Sequence, residues 1–232
     1  MPKPQIVDII IPVLNEQNAV GLVIDEIPKD RVRHIIVVDN GSTDDTMEVA
    51  KMRGAVVLEE AARGYGNACL KGMSYIANNT ESKPDAVVFL DGDHSDYPEH
   101  IHALLEPIRV GHADLVIGSR SLGRREVGAM TPQQVFGNWL ATYLLRLLFK
   151  VRYTDLGPFR AVKYDCLLEM QMNDKTYGWT VEMQLKAAKL KMKIAEVPVN
   201  YRNRIGVSKI SGTVRGTIMA GYKIIQTIFR YL

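Results

Sequence analysis

The sequence predicts an α/β fold: a mostly parallel sheet covered by helices on both faces, followed by a C-terminal amphipathic helix. Three observations predict it. β-Branched runs alternate with helix-spaced segments through the first half; polar clusters follow the apolar runs at their carboxyl ends; and the last stretch reads as one amphipathic period without an acid. A chain of 232 residues with 47% hydrophobic content supports one principal core.

The elements follow in order. "IVDIIIPV" reads as a strand and "NAVGLVIDEI" as a helix. "HIIVVD" is the second strand, leading into the helix "STDDTMEVAKMRG", with Ser42 as its cap, Asp45 as its third-position acid and Gly54 as its stop. "AVVLEE", "AVVFLD" and "DLVIGS" are further strands, separated by the helix "GNACLKGMSYIANN" and a helix from Pro98 to Arg109. The second half is less regular. "QQVFGNWLATYLLRLLFKVRY" is a long amphipathic helix with Trp139, Tyr143, Leu147 and Val151 on one line. "YGWTVEMQLKAAKLKM" is another helix, "IAEVPVNY" a strand and "TVRGTIMAGYKIIQTIFRYL" the terminal helix.

Composition narrows the function. A net charge of +3 with no lysine-arginine tract argues against nucleic acid as a partner. After Glu196 there is no acid, while Arg202, Arg204, Lys209, Arg215, Lys223 and Arg230 follow, so this end should prefer anionic partners. Cys69 and Cys166 lie far apart and fit a reducing compartment. The N-terminus lacks a signal-peptide layout and no apolar stretch is long enough to cross a bilayer, so the expected location is cytoplasmic or peripheral on the cytoplasmic face of a membrane.

In a parallel sheet, ligands bind outside the carboxyl ends of the strands. "PVLNE", "DNGSTD" and "DGDHSD" should therefore converge. Asp91 and Asp93, one residue apart at a strand end, suit Mg²⁺ or Mn²⁺, which keep waters and combine one or two carboxylates with substrate phosphates. Alternatively the stretch is an acidic turn; Asp96 and Glu99 take that reading, as a turn and the charged start of a helix. Asp39, before Asn40 and Gly41, can accept a hydrogen bond from a base or ribose. Asn15 and Glu16 either complete a nucleotide pocket or serve as a helix cap and first-turn acid. Gly64 and Gly66 in "RGYGNAC" allow backbone to approach phosphate or sugar, or simply make a tight turn. A Rossmann dehydrogenase would place glycines after the first strand, where "PVLNEQN" has none. His94, His100 and His102 do not suggest zinc, because His100 and His102 cannot share a helix face.

Taken together, "IIIPVLNE", "VVDNGSTDDT", "ARGYGNACLKGM", "FLDGDHSDYPE", "VIGSR" and "PVNYRNRIGVSKISG" resemble the ordered motifs of family 2 glycosyltransferases of the GT-A group. The branch they are most similar to acts on dolichyl and bacterial polyprenyl phosphates. The resemblance implies a GT-A (Rossmann-like) catalytic domain over residues 1–210, with residues 211–232 as the amphipathic helix. It implies inverting transfer of a hexose from a UDP or GDP sugar, with Mg²⁺ or Mn²⁺ as cofactor. Pro12, Asn15, Glu16 and Asp39 fall where the family holds base and ribose, with Gly64 and Gly92 also on the donor side. Asp91 and Asp93 fall on its metal pair, and Ser95 on a position that contributes in some relatives. Arg120 lines the donor and acceptor site, and Arg204, Ser208 and Lys209 match a loop that closes over the diphosphate. Asp93, Asp155, Arg204 and Lys209 would carry catalysis, and Arg160, Trp179 and Glu182 would lie on the acceptor side.

"TDLGPFRAV" departs from the family at Gly157-Pro158-Phe159, which leaves the acceptor open between a polyprenyl phosphate, favoured, and a sugar or other hydroxyl. Asp155 would be needed as a general base only for the hydroxyl. A sugar-nucleotide nucleotidyltransferase would want a glycine-rich, basic loop after the first strand, and intact Asp91, Asp93, Arg204 and Lys209 count against a non-catalytic nucleotide binder. On the terminal helix Arg215, Lys223, Gln226 and Arg230 form a polar stripe, leaving Val214, Ile218, Tyr222, Ile225, Ile228 and Phe229 as an apolar surface. That surface suits a membrane interface, the catalytic domain or the second subunit of a homodimer.

Overall fold

The computed structural model describes residues 6–79, 82–207 and 214–232. Its centre is a seven-stranded sheet: β1 (Val7–Val13), β2 (Val32–Asp39), β3 (Val56–Glu59), β4 (Ala86–Phe89), β5 (Leu115–Ser119), β6 (Arg160–Lys163) and β7 (Ile194–Pro198), in the order β3-β2-β1-β4-β6-β5-β7. The β3/β2, β2/β1, β1/β4 and β5/β7 pairs are parallel. β6 runs antiparallel to both of its neighbours, Phe89 pairing with Arg160 on one side and Ile117 on the other.

The expected strands are all present, and β6 is an addition. It lies within "TDLGPFRAV", where too few alternating residues surround "RAVK" to signal a strand. Its reversal places the segment before β6 at the edge where β1, β2 and β4 end.

Helices cover both faces because the strands are apolar on both. On one face lie α1 (Val20–Glu26), α2 (Thr46–Met52) and α4 (Ile101–Arg109), packed through Val23, Ile24, Ala50 and Leu104 onto Ile9 and Ile11. On the other lie α3 (Tyr65–Asn79), α5 (Pro132–Phe149), α6 (Tyr164–Met170), α7 (Trp179–Lys189) and α8 (Val214–Arg230), which enclose Ile10, Phe89 and Ile117. Successive residues of β1 thus enter opposite cores, as period-two alternation requires.

Three local expectations change. Ser42 does not cap α2; the helix begins at Thr46 behind Asp45, its first-turn acid is Glu48, and the Ser42 hydroxyl instead accepts from the Asn15 N–H at 2.8 Å. In α5, Trp139, Tyr143 and Leu147 form the outer face, while Ala141 and Leu145 pack inward. In α8, Ile228 is buried whereas Tyr222 and Phe229 are exposed, so the apolar residues divide between core and surface. Lys223, from the polar stripe, faces Asp174 at 3.4 Å.

Candidate active site

The turns after β1, β2 and β4 meet at one edge of the sheet, around a cavity of about 270 Å³ whose lining includes Pro12, Glu16, Asn40, Gly64, Asp91, Gly92, Asp93 and Arg204. Side chains brace these turns against one another. Asn15, in the left-handed region with φ 54°, accepts from the Thr43 N–H at 2.8 Å. The Glu16 N–H donates to the Thr46 hydroxyl at 2.8 Å. One oxygen of Asp39 accepts from the N–H groups of Gly41 and Ser42, both at 2.9 Å, while the other is buried without a hydrogen-bond partner. An orphaned carboxylate oxygen there suits a base or ribose donor. Asn40 joins the next segment, donating to the carbonyls of Glu60 and Ala62 and accepting from the Gly64 N–H at 2.7 Å.

The acidic turn follows β4. Gly92 separates Asp91 from Asp93 because a Cβ there would lie 2.5 Å from Val13 Cγ1, so the turn can rest on the end of β1 only with glycine. Asp91 has one oxygen buried without a partner, and its carboxyl is pushed up to about 7, first by burial and then by the charge of Asp93. Asp93 accepts from the Ser95 N–H and hydroxyl, and its second oxygen lies 3.0 Å from Arg204. Arg204 also reaches Glu16 at 2.7 Å.

Two carboxylates on one turn, one with an unsatisfied oxygen and the other already facing a cation, fit a divalent metal that takes its remaining ligands from phosphates and water. Among the described residues, no group of three or more His, Cys, Asp or Glu side chains is arranged to hold a metal by itself. The histidines are engaged elsewhere: His94 lies 2.9 Å from Glu26, His102 lies 3.8 Å from Asp30, and the His100 ring packs edge-on to Tyr97.

A strap over residues 201–205 runs beside the acidic turn. The Arg202 and Ile205 N–H groups donate to the carbonyls of Ser95 and Asp93 at 2.9 and 3.0 Å. The Arg202 guanidinium bonds the His94 carbonyl and Glu26. Ser208 and Lys209, expected in the closing loop, lie outside the described residues.

On the side facing β6, Arg120 makes a two-point pair with Asp155 at 2.8 and 2.7 Å, and its N–H adds a third bond at 2.7 Å. Burial tends to raise the Asp155 carboxyl, but the Arg120 charge and these bonds leave it below its ordinary range. Arg120 also lies over the Tyr201 ring at 5.1 Å. Arg160, Trp179 and Glu182, expected on the acceptor side, are buried. Arg160 is fully buried, donates to the carbonyls of Leu156, Gly157 and Thr180, and is lowered to about 10 by burial. Trp179 packs edge-on against Phe89 at 5.8 Å. Glu182 accepts from the Asp174 N–H at 2.8 Å and from the Tyr231 hydroxyl at 2.7 Å.

The site also holds residues that sequence reasoning missed. Arg63, Tyr65 and Tyr177 line the cavity. Asp96, read as a turn residue, is buried with neither oxygen bonded, and its carboxyl is raised well above the ordinary range by burial and then by Asp91 and Asp93. Tyr177 offered no signal in the sequence, since only folding brings it near.

Known proteins resemble this chain in sequence and fold. The profile of the family described as "Glycosyl transferase family 2" matches residues 8–167. An uncharacterised glycosyltransferase of Mycobacterium tuberculosis is 33% identical over 216 residues, 92% of this chain and 94% of that one. The undecaprenyl-phosphate mannosyltransferase of Micrococcus luteus is 32% identical over 223 residues, 89% of this chain and 88% of that one. Among solved structures, glucosyl-3-phosphoglycerate synthase from M. tuberculosis, in complex with Mn²⁺, uridine diphosphate and phosphoglyceric acid, superposes with a TM-score of 0.78 at 22% identity, covering 98% of this chain and 78% of that one.

Proposed function

Because the chain belongs to glycosyl transferase family 2, we propose that it moves a hexose, with inversion, from a uridine or guanosine diphosphate sugar to the phosphate of a polyprenyl-type lipid, using Mg²⁺ or Mn²⁺. The observation that carries this reading is the cavity at the strand ends, where Asp91, Asp93, Glu16 and Arg204 meet. A bound metal would neutralise charge on the departing diphosphate. The chain's own part is to hold the donor and stabilise that leaving group. Asp39 offers its orphaned oxygen to base or ribose, Asp91 and Asp93 are the metal ligands, and Arg204 shifts from the two acids onto the diphosphate. Lys209 is assigned a similar role by the sequence motif alone.

The phosphate acceptor is favoured by Asp155. A carboxylate locked by Arg120 and held below its usual range is a poor proton acceptor, and an acceptor phosphate already ionised near neutrality needs none. The likeness to undecaprenyl-phosphate mannosyltransferase points the same way. Transfer to a hydroxyl is the second reading, supported by Asp96, whose unpaired carboxyl lies near the metal pair and could serve as base.

A lipid acceptor calls for a membrane contact. No helix among the described residues is long and apolar enough to cross a bilayer. The outer face of α5 carries Phe136, Trp139, Tyr143 and Leu147, each more than half exposed, and the neighbouring helix α8 exposes Tyr222 and Phe229. Amphipathic aromatics of this kind suit the headgroup region, which supports a peripheral contact with a membrane; the cytoplasmic face is the side proposed. A second subunit on the same face is the competing occupant.

The deciding experiment incubates the purified protein with Mn²⁺, a panel of uridine and guanosine diphosphate sugars, and either a polyprenyl phosphate or a free sugar. Donor-dependent glycosyl lipid is the expected product. Donor consumption only with the free sugar would replace the lipid reading by the second, and no consumption with any donor would overturn both.

A further inference from the structure

The wall of the nucleotide cavity is built from a loop that the C-terminal helix holds in shape. Gly64 and Gly66, at the start of α3, have the carbonyl oxygens of Lys175 and Asp174 at 2.1 and 2.0 Å from where a Cβ would stand. The Asn67 N–H donates to the Lys175 carbonyl at 3.1 Å. Backbone of the loop between α6 and α7 is therefore laid directly on the first turn of α3, and Tyr177 of the same loop lines the cavity beside Gly64 and Tyr65.

Two buried acids shape that loop. Asp174 accepts from the N–H groups of Thr176 and Gly178 at 2.8 and 3.1 Å, and Glu182 accepts from those of Asn173 and Asp174. Each acid is also engaged by the last helical segment. Lys223 lies 3.4 Å from Asp174, and the Tyr231 hydroxyl donates to Glu182 at 2.7 Å. Between them, Thr227 Oγ1 lies 2.5 Å from where a Gly178 Cβ would stand, and Ile228 is fully buried.

We infer that Lys223 and Tyr231 are positioning residues for nucleotide binding: through Asp174 and Glu182 they fix the loop that seats Tyr177 and covers the start of α3. The inference rests on the donor reading above for its ligand and on the contacts alone for its mechanics. Neither residue touches the cavity. Each bond ends on a carboxylate that several loop N–H groups share, and Glu182 is held by Lys186 at 3.0 Å as well; weakening either bond lets that carboxylate shift against the loop, so the effect is transmitted to the loop rather than confined to the helix.

The test compares the full chain with Tyr231→Phe, Lys223→Met and, as a packing control, Ile228→Val. Calorimetry with Mn²⁺ and uridine or guanosine diphosphate gives the Kd; hydrogen exchange reads the Asn67, Thr176 and Gly178 amides; thermal unfolding reads stability. A net hydrogen bond of ordinary strength corresponds to about a three- to tenfold rise in Kd for each of the first two variants, with faster exchange at all three amides. Ile228→Val should lower Tm while leaving Kd and Asn67 exchange at the parent values. Parent-like Asn67 exchange in both Tyr231→Phe and Lys223→Met would overturn the inference, as would an equal rise in Kd from the control. If the parent binds neither nucleotide, the donor reading fails while Asn67 exchange still decides the coupling.

Discussion

Arg204 lies 3.0 Å from Asp93 and 2.7 Å from Glu16, so one guanidinium bridges acids carried by the turns after β4 and β1. Under the proposed function, a cation in this place would compete with a metal on Asp93 and be needed again on the diphosphate. Arg204→Ala should therefore bind Mn²⁺ alone more tightly, read by electron paramagnetic resonance, while turnover falls about a hundredfold. Weaker Mn²⁺ binding in the variant would show that Arg204 does not compete for the site.

Metal binding should depend on pH through Asp91. Its carboxyl is raised to about 7, so below that value a metal must displace a proton. The affinity for Mn²⁺ should rise about tenfold from pH 6 to pH 8 and flatten above. The raised value has the opposite effect on the metal-free fold, whose stability falls as pH rises through this range, because the folded state binds the extra proton. Mn²⁺ titrations at the two pH values check the first, and unfolding in a chelator the second.

The Arg120 and Asp155 pair should be costly to break. Asp155 is fully buried, and removing its partner in Arg120→Ala leaves an uncompensated charge, worth about 3–5 kcal/mol of stability. Asp155 is held below its unfolded value, so its contribution is present above that value and is lost as pH falls through the folded one. Denaturant unfolding should show the gap between parent and Asp155→Asn closing in acid; a gap that widened would contradict the pairing.

Gly66 is fixed by contact. A Cβ there would meet the Asp174 carbonyl at 2.0 Å, and backbone must move to admit it. Gly66→Ala should lose about 1–3 kcal/mol, measured by urea unfolding, and weaken nucleotide binding with it. Unchanged stability would mean that the loop sits away from α3 in solution.

Membrane contact through α5 has a separable signature. Trp139→Ser with Tyr143→Ser removes exposed aromatics that stack on one another at 5.8 Å, away from the core. Exposed changes of this kind alter stability by about 0.5 kcal/mol or less, so flotation with anionic vesicles should fall while Tm holds. Undiminished flotation would move the contact to another surface.

Much of this arrangement was legible in the chain. β1, β2 and β4 are apolar runs ending in polar turns, so Asp39, Asp91 and Asp93 could be placed at one edge before any coordinates. Sequence pattern failed where tertiary contacts decide. β6 is four residues long and carries too short a pattern to be read. The hydrogen bond that Glu182 accepts from Tyr231, 49 positions away, leaves no local mark in the sequence. Asp96 was hidden by its company, since an acid among acids shows no sign of burial until the strap from residue 201 lies beside it.

The reversed strand β6 has a consequence for divergence within such enzymes. Three of the turns at this edge follow strands; the segment holding Asp155 and Gly157 precedes one, and enters from the opposite direction. Under the proposed function, donor and acceptor recognition would be written on stretches of chain that share a border but no connecting turn. Insertions and substitutions between α5 and β6 would then retune what receives the sugar while leaving the nucleotide grip inherited intact.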